Sequence, residues 1–593
     1  MRLKKSYTTF IMEFKSYISS VLDLDGLSSD EVASLLQDVA DPRMGDVALP
    51  CFKLAARLKK PPQAIAAQIA EKFTSDGLVE RAQAVNGYVN FFFDRKAASR
   101  RILAELPDMN GELLKNVGQG RTICIDYSSI NIAKPFHIGH LGTTAIGGSL
   151  CKIFKALGYS AVGINHLGDW GTQFGKLIVA FKKWSDRETI EKGGVRALQE
   201  IYVRFHREEE TDPSLTDKAR EWFAKLEKGD EEATELFSFF KKITLDEVEK
   251  VYKRLNVSFD SYNGESFYND KMQPILDVLK QKGLAKMSEG ALVVELEEYG
   301  MPPCLLVKAD GATLYATRDL AAALYRKSTY GFDKCLYVVA YQQNLHFRQI
   351  FKVLELAGFD WAKDMVHVAY GMVSLEEGSM STRKGNAVWL ADVLDKAVEK
   401  ALDIITEKTP DLENKRETAE QIGVGAVMFS ALCNARIKDI TFSLDRVLNF
   451  DGETAPYLQY TYARCRSIEQ KIKQTRIAPD PNGIDNDEAW EVIRHIEKFV
   501  RTVETAAERY EPSLISNYLI DLAQVFNRFY LAHRVINEDK GVENARLALV
   551  KTPFLLREIP PSFKKAFMPS SSRSPSNRNF YGIFRFYARR SDN

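Results

Sequence analysis

Between residues 121 and 178 the period of the apolar positions changes twice. Ile123 to Ile125 is a short apolar run of the kind a parallel sheet buries on both faces. A polar turn containing Ser128, Ser129 and Asn131 follows, and after Pro135 apolar residues recur at helical spacing from Gly139 to Leu157. Ala161 to Asn165 restores a strand. Strand, helix and strand at this spacing predict a βαβ unit of a parallel sheet. Such sheets bind ligands beyond the carboxyl ends of their strands, where the turn Ser128–Asn131 and the loop Asn165–Gly175 fall.

The same logic returns downstream. Residues 180–290 are charged and helical, which reads as an insertion riding on the sheet. Apolar segments resume at Ala291–Val294 and Cys304–Lys308, then a turn feeds the helical stretch 314–326. Cys335–Ala340 reads as a buried strand, followed by the polar turn Tyr341–His346 and another helix. Upstream, residues 12–105 predict a compact α/β unit, with a capping box at Ser28 and Glu31 and a strand from Val85 to Phe93. Residues 391–550 are almost wholly helical, with tyrosines and arginines interleaved around Tyr457, Tyr460 and Arg464.

Composition narrows the class. At 593 residues, 45% hydrophobic and 27% charged, the chain has room for three or four ordinary globular domains. It has no run of eighteen apolar residues, so no membrane helix is predicted. Its seven cysteines include no CxxC pair, which argues against a zinc site or disulfide framework and for a reducing compartment. A net charge of +1 excludes a globally basic nucleic-acid binder while leaving room for local patches. The charge is uneven, because residues 552–593 alone carry +6.

The turn after the first strand carries the chemistry. His137 and His140 stand three residues apart at a helix start, so they share a face. The unpaired N–H groups of a helix N-terminus attract anions. Gly139 between the histidines admits a flat ring close to the backbone. Together these features predict a nucleotide site.

Five segments extend the reading. SSINIAKPFHIGHL, HLGDWGTQFGKL, LYATRDLAAALYR, VVAYQQNLHFRQIFKVLELAG with MSTRKGN, and the helical run from AVMFSALCNAR to YLQYTYARCRS resemble, in this order, the bacterial-type arginyl-tRNA synthetases of class I. The resemblance covers roughly residues 12–551. It implies an α/β fold: a Rossmann-like class I catalytic domain at 118–400 with a helical insertion at about 180–290. An N-terminal α/β appended, tRNA-binding domain at 12–110 and an α-helical anticodon-binding domain at 401–551 complete it. Residues 1–11 read either as a short transit-peptide-like lead or as a spurious extension from a mis-assigned start codon. Residues 552–593, where proline breaks any long helix and the family pattern stops, are expected to be a disordered tail from frameshifted translation, the alternative being a basic RNA-binding extension.

The implied activity is arginine–tRNA ligation: ATP-driven formation of arginyl-adenylate, then transfer of arginine to the 3′ end of tRNA(Arg). The implied substrates are L-arginine, ATP with Mg²⁺, and tRNA(Arg), for a cytoplasmic monomer with no metal site of its own. The resemblance assigns catalysis to Lys134, His137, His140 and Lys384, and ATP binding to His137, Gly139, His140, Met380, Ser381, Arg383 and Lys384. Arginine binding falls to Asp126, Asn131, His137, Tyr315, Asp319 and Gln343, and tRNA contact to Tyr457, Tyr460 and Arg464. A guanidinium presents forked donors, so carboxylates should meet it.

Four departures from the family pattern stand out. Ser379 replaces the lysine that usually opens the mobile loop, which shifts the expected transition-state charge onto Lys134. Asp126 stands where glutamate is commoner, Gly142 where arginine is expected, and Ile130 where proline is usual. Gly142 and the altered tail motivate the alternative of a catalytically impaired paralogue that only binds tRNA.

Overall fold

The computed structural model describes residues 12–24, 26–105, 117–375, 388–449, 452–472 and 480–551. These divide into two compact units, one drawn from 1–116, 460–505 and 517–558, the other from 117–459 and 506–516.

In the first unit, strands β1 (Gln37–Asp38), β2 (Val47–Pro50), β3 (Val79–Val85) and β4 (Tyr88–Phe93) form an antiparallel sheet in the order β1-β2-β4-β3. The helix Asp487–Ile496, far away in sequence, supplies part of its core. Trp490 is fully buried and donates from Nε1 to Asp46 Oδ1 at 2.9 Å, while Phe14 stacks between Phe93 and Trp490. Aromatic payload and a satisfied indole N–H explain why this sheet needs residues from the other end of the chain.

Glu497 is buried in the same unit, accepting from the Phe14 N–H at 3.1 Å. Burial pushes its carboxyl up to about 8, against the opposing charge of Lys498. A carboxyl raised on folding favours the folded state below its unfolded pKa of about 4.3 and loses that contribution as pH climbs through the folded value. Glu497→Gln is therefore expected to leave the melting temperature unchanged near pH 4 and to raise it at pH 8. A difference that stayed constant between those pH values would contradict this account.

The second unit is built on a parallel sheet. Strand β5 (Thr122–Asp126) leads through helix α1 (Leu141–Ala156) to β6 (Ser160–Ile164). An antiparallel trio, β7 (Ala285–Ser288), β8 (Ala291–Val294) and β9 (Cys304–Val307), precedes β10 (Lys334–Tyr337) and β11 (Met365–His367). The parallel order is β11-β10-β5-β6. From β5 the chain crosses to one side and from β10 to the other, so the strand order reverses between them. This is the switch point where such sheets open a crevice for ligands. Tight packing of α1 on the sheet explains its mid-helix glycines, since a Cβ on Gly147 would lie 2.2 Å from the Tyr127 Cβ.

Helix α2 (Gln173–Trp184) carries the chain into the insertion, helices α3 (Arg187–Glu209), α4 (Ser214–Glu227) and α5 (Glu231–Leu255). The chain returns to the sheet at Ser261, which bridges Ile164, well before residue 290. Residues from Tyr268 to Leu279 then pack in the sheet's own core with helices α6 (Tyr315–Tyr330) and α7 (Asn344–Leu356). Helices α8 (Leu390–Lys408) and α9 (Lys415–Leu432) also belong to this unit, so its boundary falls after residue 459 and not near 400. The cause is visible in the sequence of α9: Ile422 through Phe429 are all buried, a helix apolar on every side. All seven cysteines are free.

Candidate active site

The turn after β5 is backbone under strain. Ser128, Ser129 and Ala133 have φ of 71°, 45° and 57°, values that side-chain-bearing residues rarely adopt. Hydrogen bonds from two helices, α1 and α5, hold it there. Thr143 Oγ1 on α1 accepts from the Ser128 N–H at 3.0 Å, and the Ser128 hydroxyl bonds those of Thr144 and Tyr252. Thr244 Oγ1 on α5 accepts from the Ala133 N–H at 3.0 Å. The insertion therefore reaches into the site: its long helix pins the turn at both ends. It also anchors the second loop, where the buried Asp169 accepts from Lys241 Nζ at 2.7 Å and from the backbone and hydroxyl of Ser266. None of these anchors was found from sequence, because threonine and tyrosine on an amphipathic helix leave no pattern of their own.

His137 caps a 3-10 turn, Ile138–His140, that ends on the second histidine, and helix α1 begins only at Leu141. Reciprocal capping between the two residues brings their rings side by side, 4.0 Å between centroids. His137 Nδ1 accepts from the Gly139 N–H at 3.1 Å, which leaves the ring proton on Nε2 as a donor. Burial, reinforced by His137, pushes His140 down to about 3, and burial also lowers His137. Both rings are neutral at physiological pH. The segment after residue 387 is zipped onto this turn: Ile138 donates to Val388 O at 3.0 Å and Leu390 to Phe136 O at 2.9 Å. Met380, Ser381, Arg383 and Lys384 lie outside the described residues.

Lys134 lines a cavity of about 520 Å³ together with Trp170, Gln173, Lys176, Tyr202 and Tyr315. Gly142 is buried against Tyr370, whose ring would meet a Cβ at 3.1 Å. An arginine there would have to displace the tyrosine, so the departure at 142 is matched by its neighbour.

The carboxylates expected to meet arginine cluster at the switch point. Asp126 ends β5, in register with Tyr337 at the end of β10. Asp319, on α6, contacts His346 Nε2 on α7 at 2.6 Å. Burial alone would raise its carboxyl; the His346 hydrogen bond and the charges of His346, His166 and Arg326 more than offset that and hold it below the usual range. Tyr315 is exposed at the start of α6 and Gln343 at the end of the turn that leads into α7, and Asn131 is exposed where its turn pairs with Gly168. Two residues had escaped notice. Glu265, pushed up to about 7 by burial and by Asp319 and Asp169 against Arg318, faces the same cluster. Arg326 is the other, and it donates to Asp126 Oδ2 at 2.7 Å.

Of the three residues expected to touch tRNA, Tyr460 and Arg464 engage each other. The Arg464 guanidinium lies over the rings of Tyr460 and Tyr530 and donates to Asn527 at 2.6 Å. Tyr457 is half-buried.

A parallel sheet with a histidine turn on one side of its switch point and a carboxylate-bearing helix on the other is a geometry shared with known proteins. The catalytic-domain description of class I tRNA synthetases (R) matches residues 105–444. The arginyl-tRNA synthetase N-terminal domain matches 11–93, and the DALR anticodon-binding domain 458–558. An arginine–tRNA ligase of Clostridioides difficile is 48% identical over 544 residues, covering 91% of this chain and 96% of that protein. The chain belongs to the arginyl-tRNA synthetase family. A second family member, from Clostridium beijerinckii, is 50% identical over 543 residues, with the same coverage of 91% and 96%. The solved Thermus thermophilus arginyl-tRNA synthetase superposes with a TM-score of 0.77 at 25% identity, covering 90% of this chain and 95% of its own. Among the described residues no helix is long and apolar enough to cross a membrane.

Proposed function

We propose that this protein activates L-arginine with ATP and charges tRNA(Arg). The observation that carries the reading is the pairing, at one switch point, of a neutral histidine turn with Asp319 on its His346 support. In the first step the arginine carboxylate attacks the α-phosphate of ATP and pyrophosphate leaves. In the second, a terminal ribose hydroxyl of the tRNA attacks the activated carbonyl and AMP leaves. Neither step needs a covalent enzyme group, so positioning and electrostatics do the catalysis.

His137 and His140 donate to the phosphates, with Gly139 against the adenine; Lys134 stabilises the charge that develops at the α-phosphate. Met380, Ser381, Arg383 and Lys384 serve the pyrophosphate side. Asp126, Asn131, Tyr315, Asp319 and Gln343 form the arginine pocket, and Tyr457, Tyr460 and Arg464 are the tRNA-facing candidates of the helical region. Among the described residues no group of three or more His, Cys, Asp or Glu could hold a metal. Mg²⁺ is the cation that would accompany the ATP phosphates. The working form is a cytoplasmic monomer.

The test is incorporation of radiolabelled arginine into tRNA by the purified full chain; no charging with arginine overturns the reading. Arginine-dependent pyrophosphate exchange is expected to fall at least tenfold when tRNA is omitted. Exchange of equal strength without tRNA would show that this enzyme assembles its site unaided.

A further inference from the structure

The histidine turn is zipped to residues 388–390, and the insertion grips those residues in turn. We propose that Arg196 and Trp389 are positioning residues for ATP. Arg196, on the insertion helix α3, clamps the Trp389 indole, and Trp389 fixes the backbone from which His137 and His140 meet the phosphates. This deepens the reading of that turn as the phosphate side of the nucleotide site, and rests on it.

The turn is three residues long and borrows its support. Two hydrogen bonds join it to the neighbouring segment, Ile138 N–H to Val388 O at 3.0 Å and Leu390 N–H to Phe136 O at 2.9 Å. His137 and Trp389 stand directly opposite each other between them. A two-stranded pairing this short is marginal unless side chains anchor it. Trp389 is that anchor: it is only 8% exposed and borders a narrow crevice with Phe136, Val195, Val248 and Val251. The Arg196 guanidinium carbon lies 4.5 Å from the centre of the Trp389 ring, a cation over an aromatic face. The same guanidinium donates to Asp392 at 2.5 Å, in the first turn of α8. One arginine therefore grips both the indole and the start of the helix that follows it.

The sequence of α3 sets Arg196 in this place. Gly194 breaks the helix with φ 61° and ψ −145°, a positive φ that favours glycine. The helix restarts at Val195, whose N–H donates to Glu247 Oε2 on α5 at 3.0 Å. A Cβ on Gly194 would lie 2.7 Å from that same oxygen, so the break and its cap come as one unit. Arg196 is the next residue along. Further on, Gln199 and Tyr202 of the same helix border the cavity that Lys134 lines. The restarted part of α3 thus touches both the support of the histidine turn and the wall of the Lys134 cavity. About half of the Arg196 side chain is exposed, so its loss removes a clamp without opening a hole in the core.

Binding of ATP with Mg²⁺ by the full chain, measured by calorimetry, tests the clamp without arginine or tRNA. Arg196→Ala is expected to weaken ATP binding about fivefold, the scale of one cation–aromatic contact, with the melting temperature nearly unchanged. In pyrophosphate exchange with tRNA present, the ATP KM should rise by a similar factor and the arginine KM by less than twofold. Trp389→Leu keeps apolar volume but offers no ring face, and should weaken ATP binding at least as much. Because Arg196 acts through the indole, adding Arg196→Ala to Trp389→Leu should cost less than a further twofold. Arg196→Lys keeps a cation over the ring and should bind ATP within twofold of the parent. Unchanged ATP binding in Arg196→Ala, equal rises in the two KM values, or additive losses in the double variant would each overturn the proposal. Should Trp389→Leu not fold, the Arg196→Ala and Arg196→Lys pair carries the test. Loss of arginine charging with this ATP pattern intact would overturn the proposed function and leave the clamp standing.

Discussion

Lys134→Ala is expected to slow arginyl-adenylate formation by a factor on the order of 100 to 1,000, the usual effect of removing one preorganised electrostatic donor, while arginine affinity changes less than threefold. The reason lies in where the lysine is held. It follows Ala133, whose left-handed backbone is fixed by Thr244, and it lines the cavity that also receives Tyr315 from the arginine side. In the proposed site a charge here serves the point where the arginine carboxylate attacks the α-phosphate. With Ser379 in place of the usual loop lysine, Lys134 is the residue proposed to supply that charge. Single-turnover adenylation at varied arginine concentration, with tRNA present, separates rate from affinity. An effect confined to affinity would reassign Lys134 to substrate binding.

The same turn shows what a sequence can and cannot disclose. The strand before it, the histidines and the helix after it are local features, and periodicity with residue chemistry was enough to place them. The helix start was read two residues early, because Gly139 and His140 belong to a 3-10 turn that carries helix-like spacing without being helix. What held the turn in its strained form was not legible. Thr244 and Tyr252 lie more than a hundred residues away on the insertion, and only the fold brings them to Ala133 and Ser128. The insertion was recognised as a helical addition to the sheet, yet one of its helices is part of the scaffold of the active-site turn.

The long-range limit is sharper for Arg326. Asp126 lies at a strand end, and Asp319 and Tyr315 on one helix face, where local pattern alone puts them. Nothing in the spacing told that the arginine two turns further along α6 would meet an aspartate 200 residues upstream. The tyrosine–arginine run at 457–464 taught the converse: Arg464 stacks between two tyrosines of its own unit, so an aromatic and basic pattern can be internal packing.

If Asp319 is the carboxylate that meets the substrate, Asp319→Asn should raise the arginine KM by two orders of magnitude or more, since truncating one partner of a buried, hydrogen-bonded charge pair costs about 2–5 kcal/mol. The rate at saturating arginine should fall much less, because Asp319 binds the side chain in ground and transition states alike. His346→Gln removes the support but keeps a donor, so its effect should be smaller and of the same kind. No loss of a nearby cation should rescue Asp319→Asn, whose defect is a missing contact to substrate. Combining R326M with D319N provides the measurement. A recovery of arginine KM in that double variant would mean that Asp319 serves only to balance charge, and the guanidinium would then have to be met elsewhere, with the half-buried Glu265 next in line.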